Sequence, residues 1–99
     1  MEKRKPTSGE KMTDNATDVI VYSGRLCAYC NAAKRLLDKK GVKYKEIMVD
    51  SDPTLREEME QLSQRNTIPQ IFIGDIHVGG FDDLAELNRD GKLDGMLGL

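Results

Sequence analysis

The order of apolar patterns in this 99-residue chain predicts an α/β domain whose elements follow one another as βαβαββα. Two strand patterns are each followed by a helical pattern, two short strands then share a tight turn, and a last helical pattern follows. The crossover between the first two strands is long enough for a parallel pair, whereas the two strands of the hairpin must be antiparallel. We therefore expect a three-layer fold in which helices flank a mixed four-stranded sheet.

Both cysteines of the chain lie where the first predicted strand is followed by the first predicted helix. The segment "VIVYS" at 19–23 is a β-branched and aromatic run of the length expected for a strand buried on both faces. After the cysteines, basic residues gather towards the C-terminal end of a helical pattern, where the helix dipole favours cations, and Gly41 is the predicted stop. The residues that follow helical spacing are Ala32, Ala33, Leu36, Leu37 and Lys40.

The second strand and the second helix come next. The segment "VKYKEIMV" at 42–49 alternates polar and apolar side chains, as a half-buried strand does. Asp52 is the predicted N-cap of the helix, and Pro53 occupies the first helical position, where a missing N–H is tolerated. The predicted inner face of this helix comprises Leu55, Met59 and Leu62.

The last third of the chain contains the hairpin. The segment "IPQIFIGDIHVGGF" predicts strands at 70–73 and 76–78, joined by a turn at Gly74 and Asp75. The segment "FDDLAELNRDG" then places two carboxylates at a helix start, and "KLDGMLGL" adds a short final turn of helix. These elements together follow the thioredoxin-like plan.

Composition excludes several classes of function. Residues 1–17 contain no Val, Ile, Leu or aromatic residue, so we expect a disordered tail and a folded domain at 18–99. The chain carries 15 Lys and Arg against 17 Asp and Glu, without a basic face or the aromatic content that nucleic-acid-binding proteins usually show. No apolar run is long enough for a membrane span, and no signal peptide is visible, so we expect a cytoplasmic protein, and we expect it to be a monomer.

The two cysteines, Cys27 and Cys30, are separated by two residues at the junction of strand and helix. At a helix start, orphan N–H groups and the dipole favour the thiolate, so the pKa of Cys27 should fall. Cys30 lies one turn later, at a Cα separation of about 5 Å that permits a disulfide. We therefore expect Cys27 to be the nucleophile and Cys30 the resolving thiol, with modest electrostatic support from Arg25.

Two other interpretations of the cysteine pair remain open at this point. The first is a passive buried pair, which the cytosolic context of a C-x-x-C motif disfavours. The second is a zinc site, which requires four ligands, whereas the chain offers two cysteines and the lone His77, predicted to be a surface residue of the hairpin.

Three motifs make the sequence resemble the glutaredoxins, particularly the small bacterial dithiol type with a C-A-Y-C active site. They are "VYSGRLCAYC", "TIPQIFIG" and "VGGFDDL", in the family's order and spacing, and the resemblance covers about residues 18–97. It implies the glutaredoxin form of the thioredoxin-like fold, a cis peptide between Ile68 and Pro69 facing the active cysteine, and glutathione as co-substrate. Backbone groups of Ile68 would then meet an extended substrate.

The resemblance also implies a glutathione site. Gly79 and Gly80 would let the backbone approach the ligand, and the N–H groups that follow would bind its α-carboxylate. The side chain of Asp82 or Asp83 would bind the α-ammonium, Tyr29 would flank the tripeptide, and Arg65 would meet the glycyl carboxylate. The implied glutathione residues are Arg25, Tyr29, Arg65, Thr67, Ile68, Pro69, Gly80, Phe81, Asp82 and Asp83.

Two positions depart from the family pattern. Ala28 stands where a Pro is usual between the cysteines, and Gly24 stands where a Lys is common, with Arg25 adjacent as a substitute. Ala28 restores a backbone N–H and φ freedom at the helix start. Some glutaredoxins with a small residue at this position hold a [2Fe–2S] cluster between two subunits, through the first cysteine and a glutathione from each.

The predicted function is therefore that of a glutathione-dependent thiol–disulfide oxidoreductase that reduces protein–glutathione mixed disulfides and protein disulfides. The alternative is a dimeric [2Fe–2S] carrier or sensor with Cys27 as its ligand, which is not expected; otherwise no metal is predicted. A third hypothesis is a thioredoxin-like electron donor that ignores glutathione and is served by a flavin reductase.

Overall fold

The computed structural model describes residues 18–99, so the predicted disordered tail at 1–17 lies outside the described residues and stays a prediction. Within them the order βαβαββα is confirmed, and the short final turn of helix is present. The elements are β1 (Val19–Ser23), α1 (Ala28–Lys39), β2 (Lys45–Met48), α2 (Pro53–Ser63), β3 (Gln70–Ile73), β4 (Ile76–Gly79), α3 (Phe81–Arg89) and α4 (Leu93–Met96).

The sheet has the strand order β2-β1-β3-β4 and is mixed, as predicted. The pair β1 and β2 is parallel, β3 is antiparallel to β1, and the hairpin of β3 and β4 is antiparallel. Tyr22 at the end of β1 lies opposite Gln70 at the start of β3. The loops after β1 and before β3 therefore meet at one edge of the sheet.

The helices cover both faces of the sheet, because side chains alternate along β1. Val19 and Val21 point to a core shared with α1, α3 and α4, whereas Ile20 and Tyr22 point to a second core closed by α2. This arrangement is the predicted three-layer fold. None of the helices at 18–99 is long and apolar enough to cross a bilayer.

The second strand is shorter than the predicted segment 42–49. Gly41 adopts a left-handed φ of 75°, and the N–H of Val42 donates to the carbonyl oxygen of Leu37 to close the end of α1. Since this contact holds the start of the segment against the helix, pairing with β1 begins only at Lys45.

The start of α2 is as predicted, but its inner face is not. Asp52 caps the helix by accepting hydrogen bonds from the N–H groups of the next turn, at 3.0 and 3.2 Å. Met59 is fully buried, whereas Leu62 is 57% exposed. The prediction that Leu62 belongs to the inner face was therefore wrong. The buried residue on that side is Ser63, four positions after Met59, because the inward face follows the i, i+4 ridge.

Met59 and Leu62 should therefore differ in their contribution to stability. We expect Met59→Ala to lower the free energy of unfolding by about 2 to 4 kcal/mol, since it leaves a cavity beside Tyr22 and Val49. Leu62→Ala should change it by less than about 0.5 kcal/mol. Equilibrium unfolding in urea measures both, and equal losses would contradict the assigned packing.

Candidate active site at the start of the first helix

The two cysteines lie where the sequence predicts them. Cys27 is the N-cap of α1, and its Sγ accepts a hydrogen bond of 3.2 Å from the backbone N–H of Cys30. The two residues form a disulfide with a Cα separation of 5.2 Å. Cys30 is fully buried and Cys27 is half-buried, so only the sulfur of Cys27 is open to an incoming reactant.

The peptide bond between Ile68 and Pro69 is cis, as the resemblance implies. The loop before it is held by Gln70, whose side-chain amide donates to the carbonyl oxygen of Thr67 at 3.0 Å and to its hydroxyl at 3.2 Å. Gln70 is fully buried. Sequence reasoning missed this residue, although a polar side chain at the start of an otherwise apolar strand was a visible signal.

His77 is the partner of Gln70, and it is part-buried in β4, within the hairpin where the sequence predicts it. Its Nε2 lies 2.7 Å from Oε1 of Gln70, and its ring packs against Phe72 with a centroid separation of 4.9 Å. Burial lowers the pKa of His77, and the nearby Arg65 guanidinium adds to this effect. The histidine therefore supports the buried amide.

Nine of the ten predicted glutathione residues line one open groove of about 230 Å³. Tyr29 on α1 and Phe81 on α3 form its aromatic wall, with ring centroids 6.4 Å apart and planes inclined by 26°. Tyr29 lies in the first turn of α1, of which Cys27 is the N-cap, so the groove and the cysteine pair lie at the same helix start. Its lining residues are Tyr29, Arg65, Thr67, Ile68, Pro69, Gly80, Phe81, Asp82 and Asp83.

The two adjacent carboxylates of the groove have different surroundings. Oδ2 of Asp83 accepts a hydrogen bond of 3.0 Å from the N–H of Gly80, the N-cap of α3, and lies 3.2 Å from Nη1 of Arg65. The Gly80 N–H, and then the Arg65 guanidinium, hold the pKa of Asp83 below its ordinary value. Asp82 is exposed at the same helix start, so it is the better placed of the two to meet a ligand.

Gly79 leaves the space that Asp83 and Arg65 occupy. Its φ of 117° disfavours any L side chain, and a Cβ there would collide with the carboxylate of Asp83. The ion pair of Arg65 and Asp83 therefore depends on a glycine at the end of β4.

Arg25 is the predicted residue that does not line this groove. Its Nε lies 3.5 Å from Oδ2 of Asp50, and its backbone N–H donates to the same oxygen at 2.8 Å. It lines a separate open groove of about 780 Å³ together with Lys34 and Glu46, which are themselves ion-paired at 2.7 Å. The carboxylate of Asp50 thus draws Arg25 to the β2 side of the cysteine.

The low pKa of Asp83 has a consequence for stability against pH. Because its folded pKa lies below the ordinary value of 3.8, its contribution is complete above that pH and is lost as pH falls through the lowered pKa. We expect Asp83→Asn to reduce the free energy of unfolding by about 0.5 to 1 kcal/mol at pH 7. The difference in unfolding free energy between this variant and wild type should narrow as the pH falls below the ordinary value of 3.8, and urea unfolding at a series of pH values measures it.

The matched control is Asp82→Asn, which removes a charge from the same helical turn and leaves the contacts of Gly80 and Arg65 in place. Asp82→Asn should lower the free energy of unfolding at pH 7 by less than Asp83→Asn does. Equal losses for the two variants, with no narrowing in acid, would contradict the role given to Asp83.

Comparisons with known proteins agree with this site. The glutaredoxin family model matches residues 19–78. A glutaredoxin of Neisseria meningitidis serogroup A is 52% identical over 80 residues, which are 80% of this chain and 94% of the relative. The buckwheat glutaredoxin–glutathione complex superposes with a TM-score of 0.76 at 36% identity, covering 84% of this chain and 78% of that one. A structure described as "Metal Binding of Glutaredoxins" has a TM-score of 0.67 at 51% identity, covering 85% and 91%. The chain therefore belongs to the glutaredoxin family, and its Cys27–Cys30 disulfide fits that family's C-x-x-C dithiol motif.

Proposed function

We propose that this protein is a glutathione-dependent thiol–disulfide oxidoreductase, which reduces protein–glutathione mixed disulfides and protein disulfides. The observation that carries the proposal is the groove at the start of α1, because it brings together an aromatic wall, a guanidinium, a second helix start and an exposed carboxylate. A zwitterionic tripeptide with two carboxylates and one ammonium suits such a set of groups. The similar buckwheat glutaredoxin is described as a glutathione complex, which supports the same ligand.

Each end of glutathione has a proposed partner. The γ-glutamyl α-carboxylate accepts from the N–H groups of Phe81 and Asp82 at the start of α3, where the dipole favours an anion. The α-ammonium binds the carboxylate of Asp82, since that of Asp83 already serves Gly80 and Arg65. The glycyl carboxylate binds Arg65, whose guanidinium is half-exposed and has donors beyond the one facing Asp83.

The middle of the tripeptide lies along the loop before β3. The backbone N–H and C=O of Ile68 bind the extended cysteinyl residue, as a strand edge binds a peptide. This loop is fixed by the buried amide of Gln70, so the binding groups are held in position before the ligand arrives. The glutathione sulfur is then brought next to Cys27.

The reaction begins with the thiolate of Cys27, which the helix start favours over the thiol. The thiolate attacks the glutathione sulfur of a protein–glutathione disulfide, that S–S bond breaks, and the protein thiolate leaves and takes up a proton. A second glutathione thiolate then attacks the glutathione sulfur bound to Cys27. Oxidised glutathione is released, and Cys27 is regenerated as a thiolate.

Protein disulfides require Cys30 as well. After Cys27 has formed a mixed disulfide with the protein, the thiolate of Cys30 attacks the sulfur of Cys27 and the protein thiolate leaves. The product is an intramolecular disulfide of the kind that the structure contains. Because the side chain of Cys30 is fully buried, it acts only on the adjacent sulfur, and two glutathione molecules reduce the pair again.

Replacing Cys27 and replacing Cys30 should therefore affect activity differently. We expect Cys27→Ser to abolish turnover of a glutathionylated peptide with glutathione as sole reductant, because the attacking sulfur is lost. Cys30→Ser should retain at least about a third of that turnover and lose at least about tenfold on a protein disulfide. The rates are followed by coupling oxidised glutathione to an NADPH-dependent reductase.

Two outcomes would refute this assignment. An equal loss in both variants on the glutathionylated peptide would contradict the separate roles of the cysteines. A wild-type protein that is inactive with glutathione, but is reduced by a flavin-dependent reductase, would favour the thioredoxin-like hypothesis instead.

A [2Fe–2S] carrier or sensor is the second candidate function. Ala28 replaces the usual proline beside Cys27, and one similar structure is described in terms of metal binding. Residues 18–99 contain no group of three His, Cys, Asp or Glu side chains that could hold a metal, so Cys27 would need ligands from glutathione and a second chain. Anaerobic purification with glutathione should then give a brown dimer, whereas a colourless monomer would exclude this candidate.

A further inference from the structure

We propose that Asp50 is a positioning residue of the active site, which fixes the loop that carries Cys27 through its hydrogen bond to the backbone of Arg25. The inference rests on the proposed thiol–disulfide exchange at Cys27. It concerns a residue at the end of β2 that lies outside the glutathione groove and that the sequence did not mark as functional.

The loop between β1 and α1 needs an external support. Leu26, the residue directly before Cys27, has a left-handed φ of 53° and is fully exposed, so its own side chain contributes nothing to holding this unfavourable conformation. The preceding N–H, that of Arg25, donates to Oδ2 of Asp50 at 2.8 Å. This contact is a charge-assisted hydrogen bond, which is stronger than one between neutral groups.

The other side of the same loop is packed against the loop of the cis peptide. A Cβ on Gly24 would lie 2.7 Å from Cδ1 of Ile68 and 3.3 Å from Cβ of Asp50, so the chain passes through a narrow gap between these two residues. The position of Asp50 is itself fixed, because the N–H of the preceding Val49 donates to the carbonyl oxygen of Ser23 at 2.9 Å. Asp50 therefore lines one side of the gap and also accepts the hydrogen bond from the N–H of Arg25.

Asp50 also sets the charge near the sulfur. The Arg25 N–H, and then its guanidinium, hold the pKa of Asp50 below its ordinary value, so the carboxylate is ionised and pairs with Arg25. The other charged side chains that line the two grooves at the start of α1 are Lys34, Glu46, Arg65, Asp82 and Asp83, and all of them except Asp82 have an ion-pair partner within residues 18–99. Loss of the Asp50 charge would leave Arg25 as an unpaired cation beside the thiolate.

The test compares Asp50→Ala with Asp50→Asn. Alanine removes both the acceptor and the charge, whereas asparagine keeps an acceptor for the N–H of Arg25 and loses only the charge. Asp75→Ala and Asp75→Asn are matched controls, because Asp75 is exposed in the turn between β3 and β4, at the opposite end of the sheet. Circular dichroism checks that each variant is folded.

Two readouts separate positioning from a merely structural effect. We expect Asp50→Ala to lower kcat/KM for a glutathionylated peptide by about tenfold, because the reacting sulfur is misplaced. Asp50→Asn should stay within about threefold of wild type. In the reduced Asp50→Asn protein, the pH profile of Cys27 alkylation by iodoacetamide should move to lower pH, since the unpaired Arg25 favours the thiolate.

The outcomes that overturn the proposal are equally specific. Asp50→Ala with turnover and an alkylation profile like those of wild type and Asp75→Ala would exclude a positioning role. Equal losses in Asp50→Ala and Asp50→Asn would exclude the backbone hydrogen bond as the cause. Alkylation needs no glutathione, so a wild-type protein without glutathione-dependent turnover would refute the proposed function and still leave the role of Asp50 measurable.

Discussion

The hydrogen bond from the backbone of Cys30 to the sulfur of Cys27 is the contact on which the site depends. At most helix starts the N-cap side chain is an oxygen acceptor, as Asp52 is for α2. In α1 a sulfur takes this position, so the N–H groups that require a partner at the helix start also favour a thiolate there. The capping of α1 and the reactivity proposed for Cys27 therefore have one cause, which is the backbone geometry of the helix start.

The sheet topology explains why binding groups meet at that sulfur. The end of β1, the start of β3 and the end of β4 all lie at the same edge of the sheet, because β3 is antiparallel to both of its neighbours. Three connections, namely β1 to α1, α2 to β3 and β4 to α3, are thus brought together although they are distant in sequence. Each of them is held by a side-chain hydrogen bond: the first by Asp50, 25 positions away in the chain, and the other two by Gln70 and Asp83, which are each three positions from the group they bind. The groove is therefore formed by backbone segments that the fold holds in place.

Local rules predicted most of the fold, and non-local contacts account for what they missed. The elements, the cap at Asp52 and the turn at Gly74 follow from periodicity and from residue types acting within a few positions. The nine residues of the groove came from a resemblance in three short motifs, and their convergence could not be worked out from spacing alone. The pairing of Arg25 with Asp50, and of His77 with Gln70, joins residues 25 and 7 positions apart, and no helical or strand period reports such contacts. The prediction that Leu62 lies on the inner face of α2 was wrong for a related reason. The sequence does not show which of two neighbouring ridges of a helix faces the core.

The distribution of charge around the cysteine indicates how the proposed selectivity for an anionic tripeptide can arise without a large basic patch. Each cation that lines the two grooves beside the sulfur already faces an anion of the fold, in the pairs Arg25–Asp50, Lys34–Glu46 and Arg65–Asp83. A general anion therefore meets nearly neutral surroundings. A cation that is already ion-paired attracts the Cys27 thiolate less strongly than a free one would. A ligand therefore gains binding energy only where its carboxylate reaches N–H donors that the ion pairs leave unused. Arg65 and the N–H groups at the start of α3 are such donors and line the same groove, so a ligand that carries two carboxylates can use both.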